Sequence, residues 1–177
     1  LMIGLMVLFG LSQTVVIRVG NEVGRNNRGK LKLTAMVNMG ISLVLISIFS
    51  IFYLSFPETA ISLDIDINLD NFKSVASVAL KFFPIISVLL VTECIRLISC
   101  SALRGLKDSN FQMMISVFGF WLIAFPTAYL LGFKLELGGV GIWWGIVIGL
   151  FITGIMLLVR FNRLVNRIDL LSLITKK

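Results

Sequence analysis

Residues 33–57, LTAMVNMGISLVLISIFSIFYLSFP, run from Lys32 to Glu58 without one charged side chain. A hydrocarbon core about 30 Å thick is crossed by roughly 20 apolar residues of helix. Only helices and closed barrels satisfy every backbone polar group in that medium. The stretch has the length of one spanning helix, and four more lie around it. Residues 1–17 are uncharged but short, while 109–133 and 137–159 are again free of charge. Residues 74–100 are the exception, with Lys81, Pro84, Glu93 and Arg96 inside an otherwise apolar run. The predicted fold is all-α, a polytopic transmembrane bundle of five spanning helices over residues 1–159, followed by a basic amphipathic tail over 160–177.

Composition agrees with lipid as the main solvent. Hydrophobic residues make up 58% of the chain, charged residues only 14%, and mean hydropathy is +1.00, outside the range of soluble domains. Too few polar residues remain to cover a water-facing surface. The net charge of +7 does not imply nucleic acid, because the basic residues sit between apolar runs instead of on one folded face. The chain has no histidine, which removes the usual general base and the commonest metal ligand. Cys94 and Cys100 share one apolar stretch without metal-knuckle or C-x-x-C spacing, so two free, buried thiols are expected. No basic segment precedes the first apolar run, as a signal peptide would require. The numbering is therefore expected to start mid-protein, in a truncated parent or a fragmentary gene product.

Cytoplasmic loops collect Lys and Arg, whereas acidic residues matter little to orientation. Arg18, Arg25, Arg28, Lys30 and Lys32 follow the first span, Arg96, Arg104 and Lys107 follow the third, and Arg160, Arg163, Arg167, Lys176 and Lys177 follow the fifth. These ends are predicted to be cytoplasmic, including the C-terminus. The opposite loops hold Glu58, Asp64, Asp66, Asp70 and Glu136, with Lys73, Lys81 and Lys134 as their basic members. Alternating Ile61, Leu63, Ile65 and Ile67 read as a solvated or interfacial loop in preference to a short strand. Arg163 and Arg167, with Leu164, Ile168 and Leu171 on other positions, suit a helix lying on an anionic leaflet.

Gly24 to Lys30 matches the glycines and lysine of a phosphate-binding loop, but Leu31 stands where a magnesium-holding Ser or Thr is needed, and the segment leaves a membrane helix. Gly141, Gly145 and Gly149 recur every fourth residue and make a smooth stripe for close helix packing. Pro126, mid-span, removes a backbone hydrogen bond and is expected to kink its helix. Glu93 is the candidate site residue. A carboxylate at this depth costs on the order of 2.5–3.5 kcal/mol, so it faces a cavity or a partner. It can carry a proton or hold a sodium ion, or it can form a structural ion pair with Arg96 one turn away. No other metal site is predicted. Lys81 is expected to snorkel to the interface.

Four motifs together resemble one family. Arg18-Val19-Gly20-Asn21-Glu22-Val23-Gly24-Arg25 is similar to the R-V-G-x-x-x-G signature of MATE (multidrug and toxic compound extrusion) exporters, and Leu103-Arg104-Gly105-Leu106-Lys107-Asp108 to their L-R-G-x-x-D turn. Trp121 to Tyr129, with Pro126, resembles their W-x-x-x-x-P-x-x-Y, and Gly138 to Gly145 their G-x-x-G-x-W-x-G. The resemblance implies twelve helices in two lobes, this chain covering the eighth to twelfth, and export by alternating access with Na+ or H+ exchanged for amphipathic, often cationic compounds. In NorM-type members an acidic residue lies twelve positions before the Gly of L-R-G, which is Glu93 here. Arg96 departs from the uncharged residue usual there and is a possible modulator of that site. The implied partners are membrane lipids, amphipathic small molecules and the absent N-terminal lobe of the same polypeptide, with no cofactor beyond the coupling ion and no nucleic acid. The implied location is the bacterial inner membrane. The alternatives are a lipid-linked oligosaccharide flippase of the same architecture and a membrane-embedded enzyme.

Overall fold

The computed structural model describes residues 2–56 and 80–167. Five helices in it are long and apolar enough to cross a membrane. They are α1 (Met2–Gly24), α2 (Arg28–Ser55), α3 (Phe83–Gly105), α4 (Ser109–Lys134) and α5 (Gly138–Arg167). Each helix overlaps one of the sequence-based spans: α4 begins at Ser109 as read, whereas α2 begins at Arg28 instead of Leu33 and α1 runs on to Gly24. Basic and acidic residues excluded from the sequence-based spans, such as Arg18 and Glu22, are helical because the last turns of α1 continue beyond the uncharged run. Pro84 opens α3 instead of interrupting it, since a proline at the first turn sacrifices an N–H that has no partner anyway. Lys81 lies in the turn just before α3. The alternating segment 61–67, the stretch 74–79 and the tail 168–177 lie outside the described residues. Residues 160–167 belong to α5, and no break falls at 159.

α2 is sorted inside-out relative to a soluble helix. On α2 the inward positions are Leu31, Ala35, Asn38, Ser42, Ile46 and Ser50, many of them small or polar. Its outward positions include Met36, Ile41, Val44, Ile48 and Ile51, all exposed. Burial in lipid gives no hydrophobic drive between helices, so small residues that let backbones approach and hydroxyls that bond across helices hold the bundle together. Ser50 and Ser87 illustrate this, each donating to the other's backbone carbonyl at 3.3 and 3.4 Å across the α2–α3 contact.

α3 is the core helix, with α1, α2 and α5 packed against it. Leu90, Cys94, Leu97, Ile98 and Leu103 of α3 meet Leu8, Val15 and Val19 of α1, Leu31 and Ile46 of α2, and Leu157 and Phe161 of α5 in one buried cluster. Cys94 and Cys100 are free and buried, as the spacing suggested. α1 and α3 run side by side, with Leu90 against Gly4 at one end and Val19 against Gly105 at the other.

Two helix ends are closed by the same turn. After α1, the Asn27 N–H bonds the Glu22 carbonyl and the Asn26 N–H the Val23 carbonyl, with Asn26 at φ +53°. After α3, the Asp108 N–H bonds the Leu103 carbonyl and the Lys107 N–H the Arg104 carbonyl, with Lys107 at φ +60°. Both are Schellman ends, which satisfy carbonyls that the helix leaves unpaired. Asn27 then caps α2, its side chain accepting from the Lys30 N–H at 3.1 Å. The glycine-and-lysine segment 24–30 is thus a helix exit and a helix entry, not a phosphate cradle.

α4 leans on α5 and is exposed elsewhere. It alternates α and π turns, the π segments being Gly119–Ala124 and Leu130–Lys134 on either side of Phe125–Tyr129. Pro126 has no N–H to return to the preceding turn, and the wide turn ahead of it lets the Phe125 N–H reach Phe120 five residues back.

Candidate functional site

Glu93 and Arg96 lie one turn apart on the central helix, so their side chains share a face. Arg96 Nε donates to Glu93 Oε2 at 2.8 Å, and Arg96 Nη2 donates to Glu93 Oε1. The fork of the guanidinium therefore occupies both carboxylate oxygens, a bidentate geometry that combines charge with fixed orientation. The two side chains are 12% and 20% exposed. Alone, either charge would be costly in the bundle; paired, they present a net neutral dipole.

The pair faces a cavity of about 340 Å³ between α1, α3, α4 and α5. Leu5, Phe120, Trp143 and Leu150 form most of its wall, with Ser116 and Thr153 as the uncharged polar groups. Neither hydroxyl is idle, since Ser116 donates to the Gln112 carbonyl at 2.9 Å and Thr153 to the Gly149 carbonyl at 2.7 Å. Among the described residues, no group of three or more His, Cys, Asp or Glu side chains gathers to hold a metal ion. One carboxylate and two engaged hydroxyls form a sparse donor set, and a sodium ion at Glu93 would need oxygens from water or from outside the described residues.

Beside this cavity, glycines set how closely α5 approaches its neighbours. A Cβ on Gly145 or Gly149 would stand 2.3 Å from the Cα of Ala128 or Ala124, and one on Gly141 2.5 Å from the Leu131 carbonyl oxygen. The stripe of α5 therefore touches the α4 backbone itself. Thr127 Oγ1 stands at the same seam, 3.0 Å from the Gly145 carbonyl oxygen, while its nearest acceptor is the Ile123 carbonyl of its own helix at 2.6 Å. Gly119 accommodates Thr153, and Gly154 brings α5 to within 3.3 Å of the Arg96 backbone as measured from a Cβ placed there. Sequence reasoning singled out neither of these glycines, nor the aromatic wall. Gly119 and Gly154 stand outside the fourfold repeat, and their spacing carried no signal.

Asp108 is held by Arg160 of α5 at 3.0 Å, and the Arg160 guanidinium lies 4.0 Å from the centre of the Phe111 ring. The turn after α3 is thereby fastened to α5.

Five helices long and apolar enough to cross a membrane, packed around a core helix that bears a buried ion pair, define a multi-pass membrane protein. The family model MatE matches residues 1–130, and the chain belongs to that family. It is 31% identical over 157 residues to a probable multidrug resistance protein NorM of Pseudomonas syringae, a match covering 89% of this chain and 34% of the relative. A second probable NorM, of Pseudomonas putida, is 31% identical over 163 residues, covering 92% and 35%. The chain thus spans about a third of the length of these curated relatives. Among solved structures it resembles a multidrug resistance MATE family transporter of the MOP superfamily in its inward-facing conformation, with a TM-score of 0.83, 17% identity, and coverage of 99% of this chain and 38% of that one. The outward-facing conformation of such a transporter gives a TM-score of 0.80 at 16% identity. These relatives are multidrug resistance proteins and transporters, not enzymes, and the membrane-embedded enzyme is set aside.

Proposed function

We propose that this chain serves as the C-terminal lobe of a secondary active multidrug efflux antiporter, exchanging Na+ or H+ for amphipathic, often cationic compounds, with Glu93 as the coupling carboxylate. The observation that carries this reading is the Glu93–Arg96 pair on the core helix, facing an aromatic-walled cavity. Such a pair is a carboxylate already holding a cation. A proton or sodium ion arriving at Glu93 competes with the Arg96 guanidinium, and its binding frees the guanidinium to rearrange. Two charge arrangements of similar energy at one site are what an ion needs in order to bias one conformation over another. Drug binding that favours the paired arrangement expels the ion, and the exchange is reciprocal. The flippase alternative calls for a charged cavity to hold pyrophosphate, whereas this cavity is apolar apart from one neutralised pair and two hydroxyls.

The active unit proposed is the longer polypeptide, with a partner lobe and surrounding lipid, in the bacterial inner membrane with the C-terminus cytoplasmic. The basic stretch 160–177 is proposed to end on that side. In the longer protein, Glu93→Gln is expected to abolish dye efflux driven by an ion gradient. Because this change also strands Arg96, the Glu93→Gln/Arg96→Gln double variant is assayed alongside it. The reading fails if the double variant folds and still couples efflux to the gradient.

A further inference from the structure

We propose that the recess between the exit of α1 and the start of α2 binds the headgroup of a phospholipid carrying both a phosphate and a primary ammonium. The recess encloses about 370 Å³ and is lined by Arg18, Asn21, Glu22, Arg25, Thr34 and Asn38 with part of the α2 wall. It is separate from the Glu93 cavity, and nothing in the transport reading uses it.

Glu22 supplies the first half of the recognition. Its side chain is 14% exposed and its Oε1 lies 3.7 Å from Arg25 Nη1, beyond hydrogen-bond range. Its other oxygen, Oε2, is buried and has no donor. With Oε2 donorless and Oε1 beyond bonding distance of Arg25, the carboxylate is under-satisfied, and because Glu22 lines the recess its accessible oxygen Oε1 is the one that can accept an N–H from outside the helix pair. The guanidiniums supply the second half. Arg25 is 74% exposed, and Arg18 makes no hydrogen bond or ion pair among the described residues. Two cations flanking one carboxylate oxygen mirror a phosphate tethered to an ammonium, and guanidinium forks fit phosphate oxygens bidentately.

The wall of the recess argues for a lipid over a soluble phosphate compound. Leu33 and Val37 line it and are 61% and 46% exposed. Ile41 and Val44 continue the exposed apolar surface along α2 from that point. A headgroup seated among Arg18, Glu22 and Arg25 would lay its acyl chains along this track. Basic recesses between membrane helices are known lipid-headgroup sites. Choline headgroups share the phosphate but have no N–H for Glu22, so the two lipid classes separate the halves of the site.

The test uses the full chain in detergent micelles, with retained lipid measured by native mass spectrometry. Phosphatidylethanolamine is expected to be retained about tenfold over phosphatidylcholine, the ratio equivalent to one charge-assisted hydrogen bond. Glu22→Gln, nearly isosteric, is expected to bring that ratio toward one without lowering phosphatidylcholine. Arg18→Gln with Arg25→Gln lowers both, and Arg163→Gln, at another helix end, alters neither. Helicity is followed by circular dichroism, and if a variant unfolds the ratio for the unaltered chain decides alone. Equal retention of the two lipids, or a preference that survives Glu22→Gln in a folded chain, overturns the proposal. So does full displacement of lipid by equimolar phosphoethanolamine, which would make the ligand a soluble headgroup.

Discussion

Gly145→Ala adds one methyl group where the α4–α5 seam sets backbone against backbone. The new Cβ would stand 2.3 Å from both Cα and N of Ala128 and 2.7 Å from the Thr127 carbonyl carbon. Ordinary contact lies at about 3.5–4.0 Å, so the helices must part by roughly 1 Å or more. The obstructing atoms are backbone, and no rotamer change can relieve them. Overpacking of this kind costs about 1–3 kcal/mol. Separation would also stretch the 3.0 Å contact from Thr127 Oγ1 to the Gly145 carbonyl, worth at most about 0.6 kcal/mol between membrane helices because the hydroxyl also reaches the Ile123 carbonyl at 2.6 Å. Against this, alanine gains up to about 1 kcal/mol in helix propensity over glycine. The net expectation is a loss of about 0.5–2.5 kcal/mol. Gly40→Ala isolates the propensity gain, because nothing lies within 4 Å of a Cβ at that position. Equilibrium unfolding in mixed micelles, followed by tryptophan fluorescence, compares the two; Trp143 and Trp144 sit on the same helix as the substitution. Equal stability of the two variants would refute the close-approach account of the seam.

Glu93→Gln in this chain leaves the Arg96 guanidinium without its carboxylate. Breaking a buried pair costs about 3–5 kcal/mol, toward the lower end here because the pair borders a cavity. The Glu93→Gln/Arg96→Gln double variant is expected to recover most of that loss, and a double-mutant cycle showing simple additivity would rule out the pair as an energetic unit. Glu136 holds φ +55° in the turn between α4 and α5, a left-handed conformation costing a non-glycine residue about 1 kcal/mol. Glu136→Gly is therefore expected to raise stability by a few tenths to about 1 kcal/mol in the same unfolding assay, and a loss of stability would show that the Glu136 side chain outweighs the backbone strain.

The number and approximate position of the helices were legible in the chain because hydrocarbon is an unforgiving solvent. Charge exclusion over the length of a bilayer is a one-dimensional property, and residues 33–57 display it without reference to any neighbour. The stripe of Gly141, Gly145 and Gly149 was legible for a similar reason, since a fourfold repeat of small residues marks one face of a helix. Glu93 stood out because a carboxylate has no place in an apolar run, and Arg96 because one helical turn separates them. The sequence left open whether these two would pair or point apart, as both outcomes obey the same spacing.

Tertiary structure decided what depends on which helices become neighbours. The third span is the core helix; its charged residues set it apart in the sequence, but its mean hydropathy of 1.9 equals that of the first span, so its central position shows only in space. Gly119 and Gly154 take their meaning from Thr153 and Arg96, residues on other turns and other helices, so no repeat within one helix could reveal them. The donorless Glu22 Oε2 and the 2.8 Å bond from Arg96 to Glu93 likewise exist only once side chains have been packed. Solvent preference acts on each segment separately and can be read along the chain. Close packing, and the satisfaction or orphaning of polar groups, acts between segments and has to be read in space.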